Sequence, residues 1–121
     1  MYTIRIETGF TAAHQLELPD GSKEPSHSHD WRVVVQLSCE KLNKIALVFD
    51  FHRLRSIVDE ICSELSRNPL EKLEYFARNN PSAENVAHYV YEKLKPRLPQ
   101  RVNLDSVFVM EEPGCWAGFS E

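Results

Sequence analysis

The sequence predicts an α+β domain in which an antiparallel β-sheet is covered on one face by two helices. Apolar and polar residues alternate near both ends of the chain, apolar residues recur at helical spacing in the middle, and Pro-Gly turn signals separate the segments. The order is β-β-α-α-β-β. With 121 residues, 42% of them hydrophobic, the chain is long enough for one domain over residues 1–121 and too short for two ordinary ones.

The first two predicted strands are half-buried. Residues 2–10 ("YTIRIETGF") alternate with period two, which is typical of a strand with one buried face. A polar loop with a Pro-Asp-Gly turn follows, and the second strand is predicted from about His29 to Glu40. The apolar face of this strand consists of Trp31, Val33, Val35, Leu37 and Cys39.

Two helices follow in the middle of the chain. Asp50 is predicted to cap the first, and residues 67–80 are predicted to form a loop that can contain one helical turn. Ser82 is the predicted N-cap of the second helix, and Pro96 marks its end or the position just beyond it. The apolar stripe of the first helix consists of Leu54, Ile57, Val58, Ile61, Cys62 and Leu65.

The last segment, residues 102–121, predicts two strands separated at Pro113 and Gly114. Together with the first two strands they provide two antiparallel pairs, so we expect one sheet with helices on one of its faces. The sequence contains no internal repeat and no low-complexity segment.

Composition excludes several functional classes. The formal net charge of −4 and the lack of a basic stripe argue against a nucleic-acid partner. No apolar run approaches the roughly 20 residues that span a bilayer, and no signal peptide is recognisable, so no membrane association is expected. Three cysteines without a C-x-x-C spacing suit free thiols in a reducing compartment. We therefore expect a cytoplasmic protein.

Three histidines form a candidate metal site. His27 and His29 stand two residues apart at the mouth of the second strand, so their side chains leave the same face, roughly 6.5–7 Å apart along the chain. If the first two strands form a long hairpin, His14 lies beside them. Three imidazoles and one open position are typical of a catalytic zinc. From spacing alone, solvated histidines at a loop–strand junction remain an equal alternative.

Five segments occur in an order that resembles the 6-pyruvoyl-tetrahydropterin synthase family, which includes the bacterial 6-carboxy-tetrahydropterin synthases. They are "FTAAHQL", "HSHDWRVVVQL", "LVFDFHRLRSIV", "NPSAENVAHYVYEKL" and "VFVMEEPGCWAGF". The resemblance covers nearly the whole chain. It implies the tunnelling fold (T-fold), with four antiparallel strands and two helices between the second and third. It also implies trimers that stack into hexameric barrels, with active sites between subunits.

The resemblance also implies roles for particular residues. The zinc ligands would be His14, His27 and His29. Glu111 would anchor the pterin ring, since one carboxylate can accept hydrogen bonds from both the ring N–H and the adjacent amino group. The remaining implied contacts are those of Ser82 and Ala83, which would help to hold the pterin from a neighbouring subunit.

The sequence departs from the family pattern at the proton-transfer residues. Family members carry a cysteine before the H-x-H pair, whereas the first cysteine here is Cys39. Glu71 and Lys72 stand where the family has an Asp-His pair. Glu24, in "EPSH", resembles the subgroup in which glutamate replaces the cysteine and the side chain of dihydroneopterin triphosphate is cleaved to give 6-hydroxymethyl-dihydropterin. A loop acid without catalytic function is the alternative for Glu24.

The sequence therefore predicts a zinc-dependent pterin lyase that acts on the side chain of 7,8-dihydroneopterin triphosphate or a close relative, with Glu24 as general base. One alternative is the 6-carboxy-tetrahydropterin synthase activity of queuosine biosynthesis. Another is a paralogue that binds zinc and a pterin without catalysing a reaction, which the missing Asp-His pair favours. Assembly into a trimer or hexamer is expected from the resemblance.

Overall fold

The computed structural model describes residues 1–121 and contains one four-stranded antiparallel sheet. Its strands are β1 (Tyr2–His14), β2 (His27–Cys39), β3 (Asn103–Glu112) and β4 (Cys115–Phe119). Each strand pairs with its neighbour in sequence, so the order across the sheet is β1-β2-β3-β4. The predicted fold class and strand order are confirmed.

The first hairpin is longer than the alternation pattern predicts. Pairing runs without interruption from Tyr2 opposite Cys39 to His14 opposite His27. The prediction ended β1 at residue 10 and began β2 at about residue 29, because the small and polar residues between those limits and the loop break the alternation. Backbone pairing continues through them nevertheless, and Ala12 is buried opposite His29. The extension places His14 directly beside the H-x-H pair.

Three helices lie between β2 and β3: α1 (Phe51–Ser66), α2 (Glu74–Arg78) and α3 (Ala83–Leu94), with short 3₁₀ turns at Leu70–Lys72 and Lys95–Arg97. The first and third are the two predicted helices, and α2 is the helical turn expected between them. None of the helices is long and apolar enough to cross a membrane.

Both predicted helix caps are present. The Asp50 carboxylate accepts a hydrogen bond from the backbone N–H of Arg53 at 3.0 Å, and this bond lowers the pKa of Asp50. The Ser82 hydroxyl accepts a hydrogen bond from the N–H of Asn85 at 3.2 Å. Each cap fixes where its helix begins, and the second places the start of α3 next to the end of β1.

The core lies between one face of the sheet and the helices α1 and α3, which pack over β1 and over β3 and β4 respectively. The opposite face of the sheet carries large side chains that are exposed in the single chain: Phe108 is 45% exposed and Trp116 is 47% exposed. The largest fully buried side chains are Trp31, Leu37, Leu54, Leu65, Leu70, Leu94 and His14. A histidine in this set requires polar partners.

Candidate metal centre

Three histidines meet at the loop end of the first hairpin. His14 is the last residue of β1 and pairs with His27, while His29 follows two residues later on the same face of β2. The ring centroids of His14 and His27, and those of His27 and His29, are 4.5 Å apart. Ligand atoms of the three histidines and of Glu111 all lie within 4.8 Å of one another. The structure thus brings together the three side chains that the sequence assigns to a metal.

Trp31 forms the inner wall of this cluster. It is 1% exposed, and its ring meets those of His14 and His29 edge to face, with centroids 5.2 and 6.0 Å away. The indole Nε1–H donates to the carbonyl oxygen of Ala12 at 3.2 Å, which fixes the orientation of the ring. An apolar wall restricts water on one side of the cluster and strengthens electrostatic interactions within it.

Backbone carbonyls set the orientation of two imidazoles. The Nδ1 atom of His14 lies 2.8 Å from the carbonyl oxygen of Pro81, and Nδ1 of His27 lies 3.0 Å from that of Pro25. A carbonyl oxygen only accepts, so each Nδ1 carries the proton and donates it. In the neutral rings both Nε2 atoms are then free to bind a metal, which is the usual arrangement of metal-ligating histidines.

When Nδ1 carries the proton of a neutral ring, Nε2 has no hydrogen and cannot donate a hydrogen bond. Nε2 of His14 and Nε2 of His27 are 2.9 Å apart, a distance at which two lone pairs repel unless a positive charge lies between them. Nε2 of His29 is buried and has no hydrogen-bond partner. Three imidazole nitrogens and a nearby carboxylate are a donor set that suits a divalent zinc ion. The residues present therefore fit the metal that the sequence predicts.

Glu111 belongs to this cluster, which the sequence does not reveal. Its Oε1 lies 2.8 Å from Nε2 of His14 and 3.9 Å from Nε2 of His29, and the side chain is 25% exposed. Arg32 pairs with Met110, so Glu111 comes level with Trp31 on the face that carries His29. This position depends on the register between β2 and β3, which are separated by more than 60 residues in sequence.

Glu24 lies beside the cluster, on the far side of His27. Its Oε1 is 3.8 Å from Nδ1 of His27, too long for a hydrogen bond, and it accepts a hydrogen bond from the N–H of Leu16 at 3.2 Å. The N–H of Glu24 in turn donates to the carbonyl of Leu16 at 3.0 Å. In this arrangement the carboxylate braces the loop between β1 and β2, and its 25% exposure leaves it accessible to solvent.

Ser82 and Ala83 lie at the start of α3, one and two residues after the carbonyl that holds His14. The Ser82 hydroxyl is engaged as the helix cap, and Ala83 opens the first helical turn, whose N–H groups lack intrahelical partners. The start of α3 is thus beside the metal cluster of its own chain.

Glu71 and Lys72, which stand at the position of the family's Asp-His pair, do not join the cluster. They lie in the 3₁₀ turn after α1, and Oε1 of Glu71 is buried without a hydrogen-bond partner. The potential metal-binding group in the structure consists of His14, His27, His29 and Glu111. The chain therefore has no imidazole at the position from which family members supply one.

Cys115, at the start of β4, is the one exposed cysteine. Desolvation and the neighbouring Glu112 carboxylate, 3.6 Å from the sulfur, raise the pKa of its thiol. A raised pKa keeps the group in the thiol form at neutral pH, whereas a reactive cysteine needs a lowered one. Cys115 therefore does not replace the cysteine that family members carry before the H-x-H pair.

Comparisons with known proteins identify relatives that share this fold. A family model described as 6-pyruvoyl tetrahydropterin synthase matches residues 3–121. A dihydroneopterin monophosphate aldolase of Pyrococcus furiosus is 29% identical over 108 residues, covering 89% of this chain and 88% of the relative. A 6-carboxy-5,6,7,8-tetrahydropterin synthase of Rickettsia conorii is 25% identical and covers 94% and 95%. The 6-pyruvoyl tetrahydropterin synthase structure of Caenorhabditis elegans superposes with a TM-score of 0.86 at 24% identity, covering 99% and 95%.

Proposed function

The chain belongs to the 6-pyruvoyl tetrahydropterin synthase family, a family of lyases, and we propose that it is a zinc-dependent enzyme acting on the side chain of 7,8-dihydroneopterin triphosphate or a close relative. The observation that carries this proposal is the convergence of three imidazole Nε2 atoms at the end of the β1–β2 hairpin. Two of these rings are fixed in the metal-binding tautomer by backbone carbonyls.

Zinc bound by His14, His27 and His29 would supply Lewis acidity toward the hydroxyl groups of the pterin side chain. The protein contributes the orientation of the three ligands. Pro81 holds His14 from the segment just before α3, Pro25 holds His27 from the loop, and Trp31 closes the inner side. These contacts come from three separate segments, so the site depends on the complete fold.

The pterin ring would be recognised at the mouth of the cluster. Glu111 presents a partly exposed carboxylate there, and a carboxylate matches the two adjacent N–H donors of the ring. Ser82 and Ala83 would contact the same ring from a neighbouring subunit, where N–H groups at the start of α3 that lack intrahelical partners would donate hydrogen bonds to polar atoms of the ligand. Ring binding by these three residues would position the side chain near the three histidines.

Glu24 would act as general base. Removing the proton of the side-chain hydroxyl on the second carbon from the ring lets the bond between the first and second carbons break in a retro-aldol reaction. The second carbon leaves as an aldehyde that keeps the phosphate groups, and the electron pair passes to the first carbon, which takes up a proton and remains on the ring as a hydroxymethyl group. To reach that proton, the carboxylate must release the N–H of Leu16, to which it is bound in the substrate-free chain. A correctly placed base of this kind contributes about 10²–10⁴-fold to the rate.

A 6-carboxy-tetrahydropterin synthase activity is the second candidate. The Rickettsia conorii relative, 25% identical, carries that name. Against it stand the lack of a cysteine before His27 and the replacement of the Asp-His pair by Glu71 and Lys72. The Pyrococcus furiosus relative, named as an aldolase and 29% identical, supports the first candidate.

Product analysis separates these activities. Zinc-loaded protein is incubated with 7,8-dihydroneopterin triphosphate and, in parallel, with the monophosphate, and the products are identified by mass spectrometry. We expect 6-hydroxymethyl-7,8-dihydropterin. Formation of 6-carboxy-tetrahydropterin would support the second candidate instead. Unchanged substrate in the presence of bound zinc and bound pterin would identify a non-catalytic paralogue.

The enzyme is proposed to work as a trimer or hexamer. In the single chain β1 and β4 are free edges, and Phe108 and Trp116 are exposed on the uncovered face of the sheet. Free edges favour association with further strands, and closing a ring of sheets into a barrel removes them. Light scattering at micromolar concentration should therefore give a mass of three or six chains; a monomer would contradict the proposal.

We also place the enzyme in the cytoplasm. Its three cysteines are unpaired, and burial raises the pKa of the Cys62 thiol to about 12. Free thiols of this kind suit a reducing compartment. Fluorescence microscopy of a tagged chain in its source cells would test the location, and a signal outside the cytoplasm would contradict it.

A further inference from the structure

We propose that Glu111 is the fourth ligand of the metal in the substrate-free protein, and that the pterin ring displaces it. This inference rests on the proposed metal centre and assigns its fourth coordination position to Glu111. Glu111 Oε1 is 2.8 Å from Nε2 of His14 and 3.9 Å from Nε2 of His29. Its carboxylate therefore lies in the same group of potential ligand atoms as the three histidines.

The contacts of His14 distinguish a metal ligand from a simple hydrogen-bond partner. Nδ1 of His14 donates to Pro81, and Nε2 is in contact with two acceptors at once: Oε1 of Glu111 at 2.8 Å and Nε2 of His27 at 2.9 Å. A single proton on Nε2 can form a full-strength bond to only one of these acceptors. A divalent cation among the three atoms satisfies both contacts, and it also satisfies the buried Nε2 of His29.

The surroundings of Glu111 support the same role. No lysine or arginine forms an ion pair with it; its ionic contacts are the two histidines. A partly buried carboxylate without a cationic partner is unfavourable. Imidazoles that bind a metal are neutral, so a zinc ion would supply the positive charge that the carboxylate lacks. The donor set His₃Glu is one that zinc accepts in a closed tetrahedral site.

Coordination of the metal by Glu111 would compete with binding of the pterin ring. In the proposed function the Glu111 carboxylate also binds the pterin ring. One carboxylate cannot bind the ring and the metal with full strength at the same time. Ring binding would therefore withdraw Glu111 and free a coordination position for the side-chain hydroxyls. The metal becomes accessible when a ligand with the correct ring is present, which links recognition to activation.

The direct test is the crystal structure of the zinc-loaded protein without a pterin. We expect a carboxylate oxygen of Glu111 at about 2.0–2.2 Å from the ion. A zinc held by the three histidines with Glu111 more than about 3 Å away would overturn this inference while leaving the proposed function intact. If the histidines bind no zinc at all, the proposed metal centre itself is wrong.

Zinc affinity provides a second measurement. Competition with a chromophoric chelator should show that Glu111→Gln binds zinc at least about tenfold more weakly than the parent protein, since even partners of metal ligands contribute 10–100-fold. Glu112→Gln is the matched control, because that carboxylate is exposed and contacts Cys115 rather than the cluster. Equal zinc affinities for Glu111→Gln and Glu112→Gln would overturn the inference.

The displacement is tested with unsubstituted pterin, which has the ring but no side-chain hydroxyls. By linkage, zinc should weaken the binding of this ring several-fold in the parent protein, and the ring should weaken zinc binding by the same factor. Fluorescence titrations with and without zinc measure both effects. Ring affinity that is equal with and without zinc would show that ring and metal do not share Glu111.

Discussion

The loop end of the first hairpin and the segment between α1 and α3 (residues 68–80) each hold one buried side-chain atom without a hydrogen-bond partner, Nε2 of His29 and Oε1 of Glu71, and they differ in what lies around that atom. At the hairpin end, two imidazoles are held by backbone carbonyls and the free nitrogens converge with the carboxylate of Glu111. In the segment 68–80, Oε1 of Glu71 is buried without a partner. The first region brings together the donor atoms that a metal ion needs, whereas Glu71 belongs to no such group of potential metal ligands.

This difference indicates which part of the family's chemistry the chain retains. In the proposed function, metal and ring recognition depend on the hairpin end, which follows the family pattern. The residues at the position of the family's Asp-His pair are Glu71 and Lys72, which lie outside the cluster of their own chain. These two side chains do not form an Asp-His pair, so the proposed base is Glu24, whose carboxylate lies 3.8 Å from Nδ1 of His27.

The largest effect is expected from removing a ligand at the hairpin end. His29→Ala should lose bound zinc and reduce turnover by at least about 10³-fold, because metal catalysis supplies several kcal/mol and each 1.36 kcal/mol is a factor of ten. His29 is preferable to His14, whose complete burial makes its replacement a risk to folding. Zinc content by mass spectrometry and turnover are measured together.

The control for this substitution is His52→Ala, which removes an exposed histidine of α1 that lies outside the cluster. It should keep about one zinc per chain. The account of the hairpin end would be wrong if both variants retained the same zinc content as the parent protein.

The second prediction compares the two regions directly. Glu24→Gln should lower kcat by about 10²–10⁴ with KM and zinc affinity nearly unchanged, because a general base matters only while protons move. Glu71→Gln should change kcat by no more than about twofold, the usual range for a substitution away from the site. If Glu71→Gln proves the slower enzyme, the segment 68–80 supplies the base after all.

A smaller effect on catalysis is expected at Glu111. Glu111→Gln should weaken pterin binding by roughly 1.5–3 kcal/mol, the contribution of a charged hydrogen-bonding group, and so raise KM more than it lowers kcat. Isothermal titration with a substrate analogue measures the binding term. A variant that binds the analogue as tightly as the parent would exclude Glu111 from ring recognition.

The smallest effect concerns the cap that ties α3 to the site. Ser82→Ala should reduce the free energy of unfolding by about 0.5–2 kcal/mol, measured by urea denaturation, since it removes the bond to the N–H of Asn85. Asp50→Ala removes the equivalent cap of α1, far from the start of α3 in sequence. If Ser82 also contacts the pterin, Ser82→Ala raises KM and Asp50→Ala does not; equal KM values would limit Ser82 to a structural role.

The sequence predicts the elements of this fold better than their ends. Helical spacing and caps locate α1 and α3, because Asp50 and Ser82 act on neighbouring backbone groups. The extension of β1 to His14 is missed, since small residues such as Ala12 give no alternation signal although they pair and are buried.

The site is predictable only in part, because the sequence reveals local geometry but not contacts between distant segments. His27 and His29 share a face because of local strand geometry, which the sequence reveals. Glu111 joins them through the register of β3 on β2, and the carbonyl of Pro81 comes from the segment just before α3. Both contacts are long-range, and neither leaves a pattern in the sequence. The resemblance supplied a role for Glu111 but not its position beside His14.

Zinc reconstitution measures whether cleavage of the pterin side chain requires a metal at the three-histidine site. The protein is depleted of metal with a chelator, titrated with zinc, and assayed at each point for cleavage of 7,8-dihydroneopterin triphosphate. We expect no activity without metal. Activity should rise linearly with added zinc and reach a plateau at about one zinc per chain, the capacity of one three-histidine site. Turnover that is unchanged by depletion, or that shows no break point near one equivalent, would contradict this expectation.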